Sequence, residues 1–290
     1  MEYQNYASIA YCKLQQIEEW TCDSCNTNQP AKLISTHKSR RYGTFGMIHV
    51  TTNNKILLSF RGTDNLSNKL LDLNIRKRRM KVVDPNYNQD YLNNIKVHSG
   101  ILSSTDSIIY DMIEQLRLRF NNELDQYTFV LIGHSLGGAM ASLASIRLQN
   151  ELKLSYNSIH LYSYGQPRVG NEEFVKYFNH LPLTAMRIVS QNDIVPHLPL
   201  NKMGYYHFNN EYFIHDKKAQ FCLPPTNTPP YIIDGKQSYY FEHPECTKKF
   251  GYKFGFKWHK FYSEKSIICD GYYIKRRRKK WTKKFKSLQQ

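Results

Sequence analysis

Ser135 lies at the centre of Gly133-His134-Ser135-Leu136-Gly137. This is the spacing of a nucleophile elbow, a sharp strand-to-helix turn that pushes a serine hydroxyl out of the backbone. Glycines flank the serine because side chains there would strike the adjoining strand and helix. A serine hydroxyl is a weak nucleophile at neutral pH. Acyl transfer through it therefore demands an imidazole to take the proton and a carboxylate to orient that imidazole. The elbow's usual chain order puts both downstream. Asp193 follows an apolar run, 184–190, at its C-terminal end, where the crevice of a parallel sheet opens. Its rivals Asp216 and Asp234 sit in hydrophilic stretches. His197, His207, His215, His243 and His259 all follow Asp193, and spacing does not choose among them. The backbone N–H of Leu136, just after the serine, is the expected donor to the oxyanion of a tetrahedral intermediate.

The elements that must hold these groups are legible as alternation. Phe45 to Val50 and Lys55 to Phe60 are β-type runs joined by Thr51-Thr52-Asn53-Asn54, which predicts a hairpin. From Ser99 to Phe120, Ile101, Thr105, Ile108, Ile109, Met112, Ile113, Leu116 and Phe120 recur at helical spacing. Tyr127 to Ile132 is continuously apolar, as suits a strand covered on both faces, and a helix over Ala139 to Leu148 follows the elbow. A strand over Ile159 to Tyr164, a helix near Asn171 to His180 capped by Asn171, and a strand over Thr184 to Ser190 come next. Tyr205 to Phe208 with Glu211 to Ile214 reads as a closing hairpin, and 224–245 as a long surface loop between Cys222 and Cys246. The expected class is α/β, with a mostly parallel central sheet, antiparallel additions and helices on both faces.

At 290 residues with 41% hydrophobic content the chain can bury a real core, and its composition excludes collagen-like and disordered classes. Neither a run of 18 apolar residues nor a signal-peptide pattern at Met1-Glu2-Tyr3 is visible. The net charge of +16 is local: 275–286 holds nine basic residues without an acid, and Arg76, Lys77, Arg78, Arg79 and Lys81 add five. Such clusters attract anionic lipid or nucleic acid without sequence specificity, although a solvated disordered end has the same composition. Six cysteines suggest pairing in an oxidising compartment, which conflicts with the missing signal peptide. Cys22-Asp23-Ser24-Cys25 also has the form of a redox motif or half a zinc site, but no second pair completes a metal shell. Neither a metal nor a cofactor is expected.

Several segments, in order, closely resemble the fungal-type (class 3) triacylglycerol lipases over roughly residues 6 to 270. They are Tyr11-Cys12, Phe60-Arg61-Gly62-Thr63, Val97-His98-Ser99-Gly100, Gly133 to Ala139, Gly165-Gln166-Pro167-Arg168-Val169-Gly170 and Asn192 to Pro199. The resemblance implies an α/β-hydrolase fold. In that family the catalytic histidine precedes the last cysteine in an acid-His-x-x-Tyr context. Trp258-His259-Lys260-Phe261-Tyr262, ahead of Cys269, fits that place, with Trp258 where an acid or amide is usual. By the same resemblance His134 and His197 pack or hydrogen-bond near the site, and Thr63 supplies the second oxyanion donor. On its own, the Thr63 segment reads equally as a strand end with a glycine turn. The resemblance also implies bridges Cys12 to Cys269, Cys22 to Cys25 and Cys222 to Cys246. It further implies a lid over Asp64 to Leu73, with Leu66, Leu70, Leu71 and Leu73 apolar and Lys69 where an aromatic is common.

The expectation is one domain over 1–273 followed by a basic tail, 274–290. Its function would be a serine-dependent carboxylic ester hydrolase acting on lipid esters, triacylglycerol first. Phospholipase A1 and feruloyl-type soluble esterase are close variants. A rival of another class is a catalytically idle scaffold that binds membrane or nucleic acid through the tail. Arg76, Lys77, Arg78, Arg79 and the 275–286 tail are expected to meet an anionic lipid surface.

Overall fold

The computed structural model describes residues 3–25, 31–63, 75–190, 192–215, 218–222, 231–233, 236–238, 246, 255–256, 258–262 and 265–269. The lid stretch with Leu66, Lys69, Leu70 and Leu73, the tail 274–290, and Asp216, Asp234 and His243 lie outside the described residues. Eight strands form the central sheet in chain order: β1 Ala31–Ser39, β2 Thr44–Thr51, β3 Lys55–Phe60, β4 Thr128–His134, β5 Ile159–Tyr164, β6 Thr184–Ser190, β7 Glu211–His215 and β8 Lys218–Cys222. Pairing is parallel from β3 through β7 and antiparallel at both margins. The architecture is the α/β-hydrolase type.

Alternation along the central strands divides the core into two layers. Ile56, Leu58, Phe60, Phe129 and Leu131 point to one face, where they meet α2 Ser99–Phe120, α3 Leu136–Leu152 and α4 Glu172–His180. Leu57, Val130 and Ile132 point to the other and pack with α1 Tyr3–Ile9, Tyr262 and the cysteines near both chain ends. This two-sided burial is why β4 is continuously apolar. Ile108, Ile109, Met112, Ile113 and Leu116 form the buried stripe of α2, each worth roughly 1.5 to 3 kcal/mol on burial. Asn171 caps α4 by accepting from the Phe174 N–H at 3.2 Å, and His98 caps α2 through Nδ1.

The closing hairpin differs from the sequence expectation. Tyr205 to Phe208 is not a strand; the Tyr206 N–H bonds the Gly170 carbonyl at 3.0 Å instead. Glu211–His215 turns back on Lys218–Cys222 and runs parallel to β6. A buried ion pair fixes that register: Arg187 on β6 meets Glu211 on β7 at 3.2 Å. The stretch read as a loop, 224–245, contains a short ribbon, Tyr231–Ile233 against Lys236–Ser238, and a Cys222–Cys246 disulfide spans it. The first helix and β1 were not anticipated.

Two buried imidazoles make the fold acid-sensitive. His49 lies between Tyr6 and Trp20 with neither ring nitrogen hydrogen-bonded among the described residues, and His98 caps α2 in its neutral form. Burial lowers each pKa to about 4. Unfolded histidine titrates near 6.5, so the stability that depends on the neutral rings is complete above about pH 6.5. It is lost progressively as the pH falls toward 4. Each group is worth on the order of 3 kcal/mol over that window. Urea unfolding at pH 7 and pH 4.5 should show the drop, and His49→Phe, which removes one group without losing a hydrogen bond, should flatten it.

Candidate active site

Ser135 stands at the junction of β4 and α3 with φ 60° and ψ −127°. A non-glycine residue held at positive φ costs about 1 to 3 kcal/mol and persists only where its surroundings dictate it. Those surroundings are backbone. A Cβ on Gly133 would lie 2.2 Å from Gly137, and one on Gly137 would lie 2.1 Å from the Phe60 carbonyl oxygen. The helix thus starts directly against the end of β3. The Ser135 N–H bonds the Tyr164 carbonyl at 2.8 Å, tying the elbow to the end of β5 as well.

Asp193 follows β6 and is fully buried. Its Oδ1 accepts from the Val195 N–H at 2.9 Å. Its Oδ2 receives His259 Nδ1 at 2.7 Å and the Tyr262 hydroxyl at 3.2 Å. Burial, then the negative charge of Asp193, pushes the Tyr262 phenol well above its ordinary pKa, so it stays a donor. With Nδ1–H given to a carboxylate, His259 presents Nε2 as a proton acceptor. That ring packs where Gly165 has no side chain: a Cβ there would meet His259 Cε1 at 2.8 Å and Asp193 Oδ2 at 2.7 Å. Tyr164, which holds the Ser135 N–H, immediately precedes Gly165. Ser135 Oγ and His259 Nε2 are both buried, and neither has a hydrogen-bond partner among the described residues. Such a pair is able to close when a substrate fills the site.

The two residues expected from the sequence to hold an oxyanion, Leu136 and Thr63, lie on either side of the elbow. Leu136 opens α3, where the first N–H groups have no intrahelical acceptor. Gly62 packs so tightly on the elbow that a Cβ would sit 3.0 Å from Ser135 Cβ, and Thr63 is the next residue. The other downstream histidines among the described residues make their contacts away from Asp193: the Arg168 guanidinium donates to the backbone carbonyl of His197, His207 Nε2 bonds the Pro196 carbonyl at 2.8 Å, and His215 stacks on Phe213 at the end of β7. Of the five downstream histidines, only His259 meets Asp193 among the described residues. Tyr262 is a partner of Asp193 that the residue spacing does not announce; its place three residues after His259 is the available signal.

The disulfides join Cys12 to Cys269, Cys22 to Cys25 and Cys222 to Cys246. Among the described residues, one group has metal-type ligands: the sulfur atoms of Cys12, Cys22 and Cys269 lie within 4.8 Å of one another. All three are consumed by disulfides, so they offer no thiolate. The arrangement as a whole is suited to acyl transfer at a carbonyl: a constrained hydroxyl, an oriented imidazole, a buried carboxylate and a helix N-terminus directly after the serine.

Comparison with known proteins agrees with this geometry. The family model described as Lipase (class 3) matches residues 57–203. A lipase of Rhizomucor miehei is 31% identical over 232 residues, 78% of this chain and 61% of that protein. A secreted mono- and diacylglycerol lipase A of Penicillium cyclopium is 34% identical over 176 residues, 59% of this chain and 52% of that one. A solved triacylglycerol lipase, described as having a serine protease triad as its catalytic centre, superposes with a TM-score of 0.75 at 27% identity, covering 92% of this chain and 93% of that one. The chain spans about three-fifths of the length of the first curated relatives it matches.

The elbow's contacts predict a large effect from one methyl group. Gly137→Ala would force the Phe60 carbonyl and α3 apart, and should destabilise the fold by about 3 kcal/mol or more in urea unfolding. Ala at the exposed Asp125 serves as the neutral control.

Proposed function

The chain belongs to the class 3 lipase family, and on that premise we propose that it is a serine-dependent carboxylic ester hydrolase acting on lipid esters, triacylglycerol first. The observation that carries this reading is the fully buried Asp193–His259 hydrogen bond, whose imidazole lies against His134, the residue preceding a serine in strained backbone. In the proposed mechanism Ser135 Oγ attacks the ester carbonyl while His259 Nε2 takes its proton. The Leu136 N–H and Thr63 hold the oxyanion. Collapse of the tetrahedral intermediate expels the alcohol, protonated by His259, and leaves an acyl group on Ser135. Water, deprotonated by His259, then attacks the acyl carbonyl, and as the acyl–Oγ bond breaks His259 returns that proton to Ser135 Oγ and the carboxylic acid leaves. Asp193 stabilises the imidazolium in each half, and the Val195 N–H and Tyr262 hydroxyl hold Asp193 in place.

The site requires no metal or cofactor in this scheme. The named relatives leave room for mono- and diacylglycerols, and phospholipase A1 or soluble aryl-ester activity differs only in what the pocket admits. Comparing a soluble short-chain ester with emulsified long-chain glycerides of one, two and three acyl groups separates these. A fluorophosphonate tests the chemistry itself. It should modify the wild-type chain stoichiometrically and leave Ser135→Ala untouched, with ester turnover in that variant lower by on the order of 10⁴ or more.

The proposed partner is an anionic lipid surface, met through the rim that follows the lid stretch. Ile75, Leu200 and Met203 are exposed. Two contacts bring their segments together: the Tyr205 hydroxyl bonds the Ile75 carbonyl at 3.1 Å, and Lys77 Nζ bonds the Met203 carbonyl at 2.6 Å. Exposed Arg76 and Lys202 flank them, so apolar contact and cationic attraction act on the same surface. Hydrolysis on vesicles with anionic lipid should exceed that on neutral vesicles, and the excess should vanish in high salt. Equal rates throughout would remove this partner.

A further inference from the structure

His134 stands next to the proposed nucleophile in the chain, yet it makes no hydrogen bond to it. Its ring lies against His259, with centroids 4.3 Å apart and planes 35° from parallel. His134 Nε2 is 2.8 Å from the carbonyl oxygen of His259, and Nδ1 is 2.7 Å from the hydroxyl of Tyr11. A carbonyl only accepts, so Nε2 carries the proton; Nδ1 is then the acceptor and the Tyr11 hydroxyl its donor. Every polar atom of the ring is satisfied in one tautomer and in no other.

Tyr11 reaches this position because residue 62 is glycine. A Cβ on Gly62 would lie 2.3 Å from the Tyr11 hydroxyl and 2.6 Å from the His134 carbonyl. The same residue that precedes Thr63 therefore makes room for the phenol that sets the His134 tautomer. The groups facing the ring are Tyr11, His259, Tyr262 in an edge contact at 5.9 Å, and Lys260. None of these is an anion that would favour a protonated His134. Burial, followed by the neighbouring His259, holds its pKa well below the ordinary value.

We propose that His134 is a positioning residue for the base: locked by Tyr11 as the neutral Nε2–H tautomer, it holds the His259 backbone so that the imidazole keeps its line between Asp193 and Ser135. This rests on the reading of Ser135 and His259 as nucleophile and base. The need for such a tie follows from how His259 is delivered. It lies on a three-residue turn, Trp258–Lys260, rather than on a strand or long helix. The flanking ties act at other residues: Gly255 N–H to the Asn192 carbonyl, Ser190 Oγ to the Phe261 carbonyl, and Gln4 to the Tyr262 carbonyl. At residue 259 itself the side chain is held by Asp193 and the carbonyl by His134. A neutral partner also suits the cycle, since a second cation stacked on His259 would oppose the imidazolium that forms there.

Three measurements on the full chain test this. In the wild-type protein, ¹⁵N NMR of the histidine rings should show His134 protonated at Nε2 and bare at Nδ1, unchanged from pH 5 to 9, whether or not the protein turns over ester. An Nδ1–H tautomer, or titration within that range, would overturn the proposal. In kinetics with a soluble ester, His134→Phe keeps the ring stack but loses both hydrogen bonds. It should lower kcat by about 30- to 100-fold with KM within twofold, as expected for a slightly misplaced base. His134→Gln restores an N–H donor and should recover at least half of that loss on a logarithmic scale. A kcat within threefold of wild type in the Phe variant, or equal losses in Phe and Gln with KM rising in step, would assign His134 to packing alone. If the Phe variant does not fold, the ring tautomer of the native protein still decides. Fluorophosphonate labelling of Ser135 in the wild type checks the underlying reading separately: an inert serine would sink that reading and leave the tautomer result standing.

Discussion

A single hydrogen bond between a buried carboxylate and a buried imidazole, 66 residues apart in sequence, governs how this molecule is put together. Asp193 has no access to water, so its charge must be met by donors, and three converge on it: a backbone N–H, a phenol and His259. Removing any of them leaves an anion under-satisfied in a low-dielectric interior. Residues 258–262 are therefore held at the ends of β4, β5 and β6, where Tyr262 packs with α1 near the Cys12–Cys269 bridge.

The same need for close approach explains the glycines at the site. Gly133 and Gly137 let a helix begin against the end of a strand, which is what holds Ser135 in a backbone conformation it would otherwise leave. Gly165 clears the space that the His259 ring and Asp193 occupy, and Gly62 clears the space for Tyr11. Strain at one residue is offset by rigid neighbours on three strands.

Buried histidines recur in the fold, in different roles. His49, His98 and His134 are each held neutral by burial, one in an aromatic slot, one as a helix cap and one beside the proposed base. Their neutrality is a condition of the packing, so acid attacks the scaffold as well as the chemistry. Lys77, by contrast, keeps its charge at the surface and rests on the Tyr205 ring, 4.6 Å from its centroid.

Periodicity and local spacing determined much of this before any coordinates. The elbow was legible because a strand, a tight glycine turn and a helix are consecutive, so each signal lies within about a dozen residues of the next. The parallel strands and α2 were legible because burial on two faces, or on one stripe, writes itself into the apolar pattern. Asp193 was legible as a carboxylate at the end of a strand. The sequence left five downstream histidines open, and only the resemblance to a known family favoured His259, since contact across long chain separations leaves no periodic trace. The tertiary structure decided the rest. It pairs Glu211 with Arg187 and so turns an expected hairpin at 205–214 into a parallel strand followed by a later hairpin. It also sets Tyr11, Gly62, His134 and His259 side by side, because packing on one face of the sheet brings residues far apart in the chain to the end of a central strand.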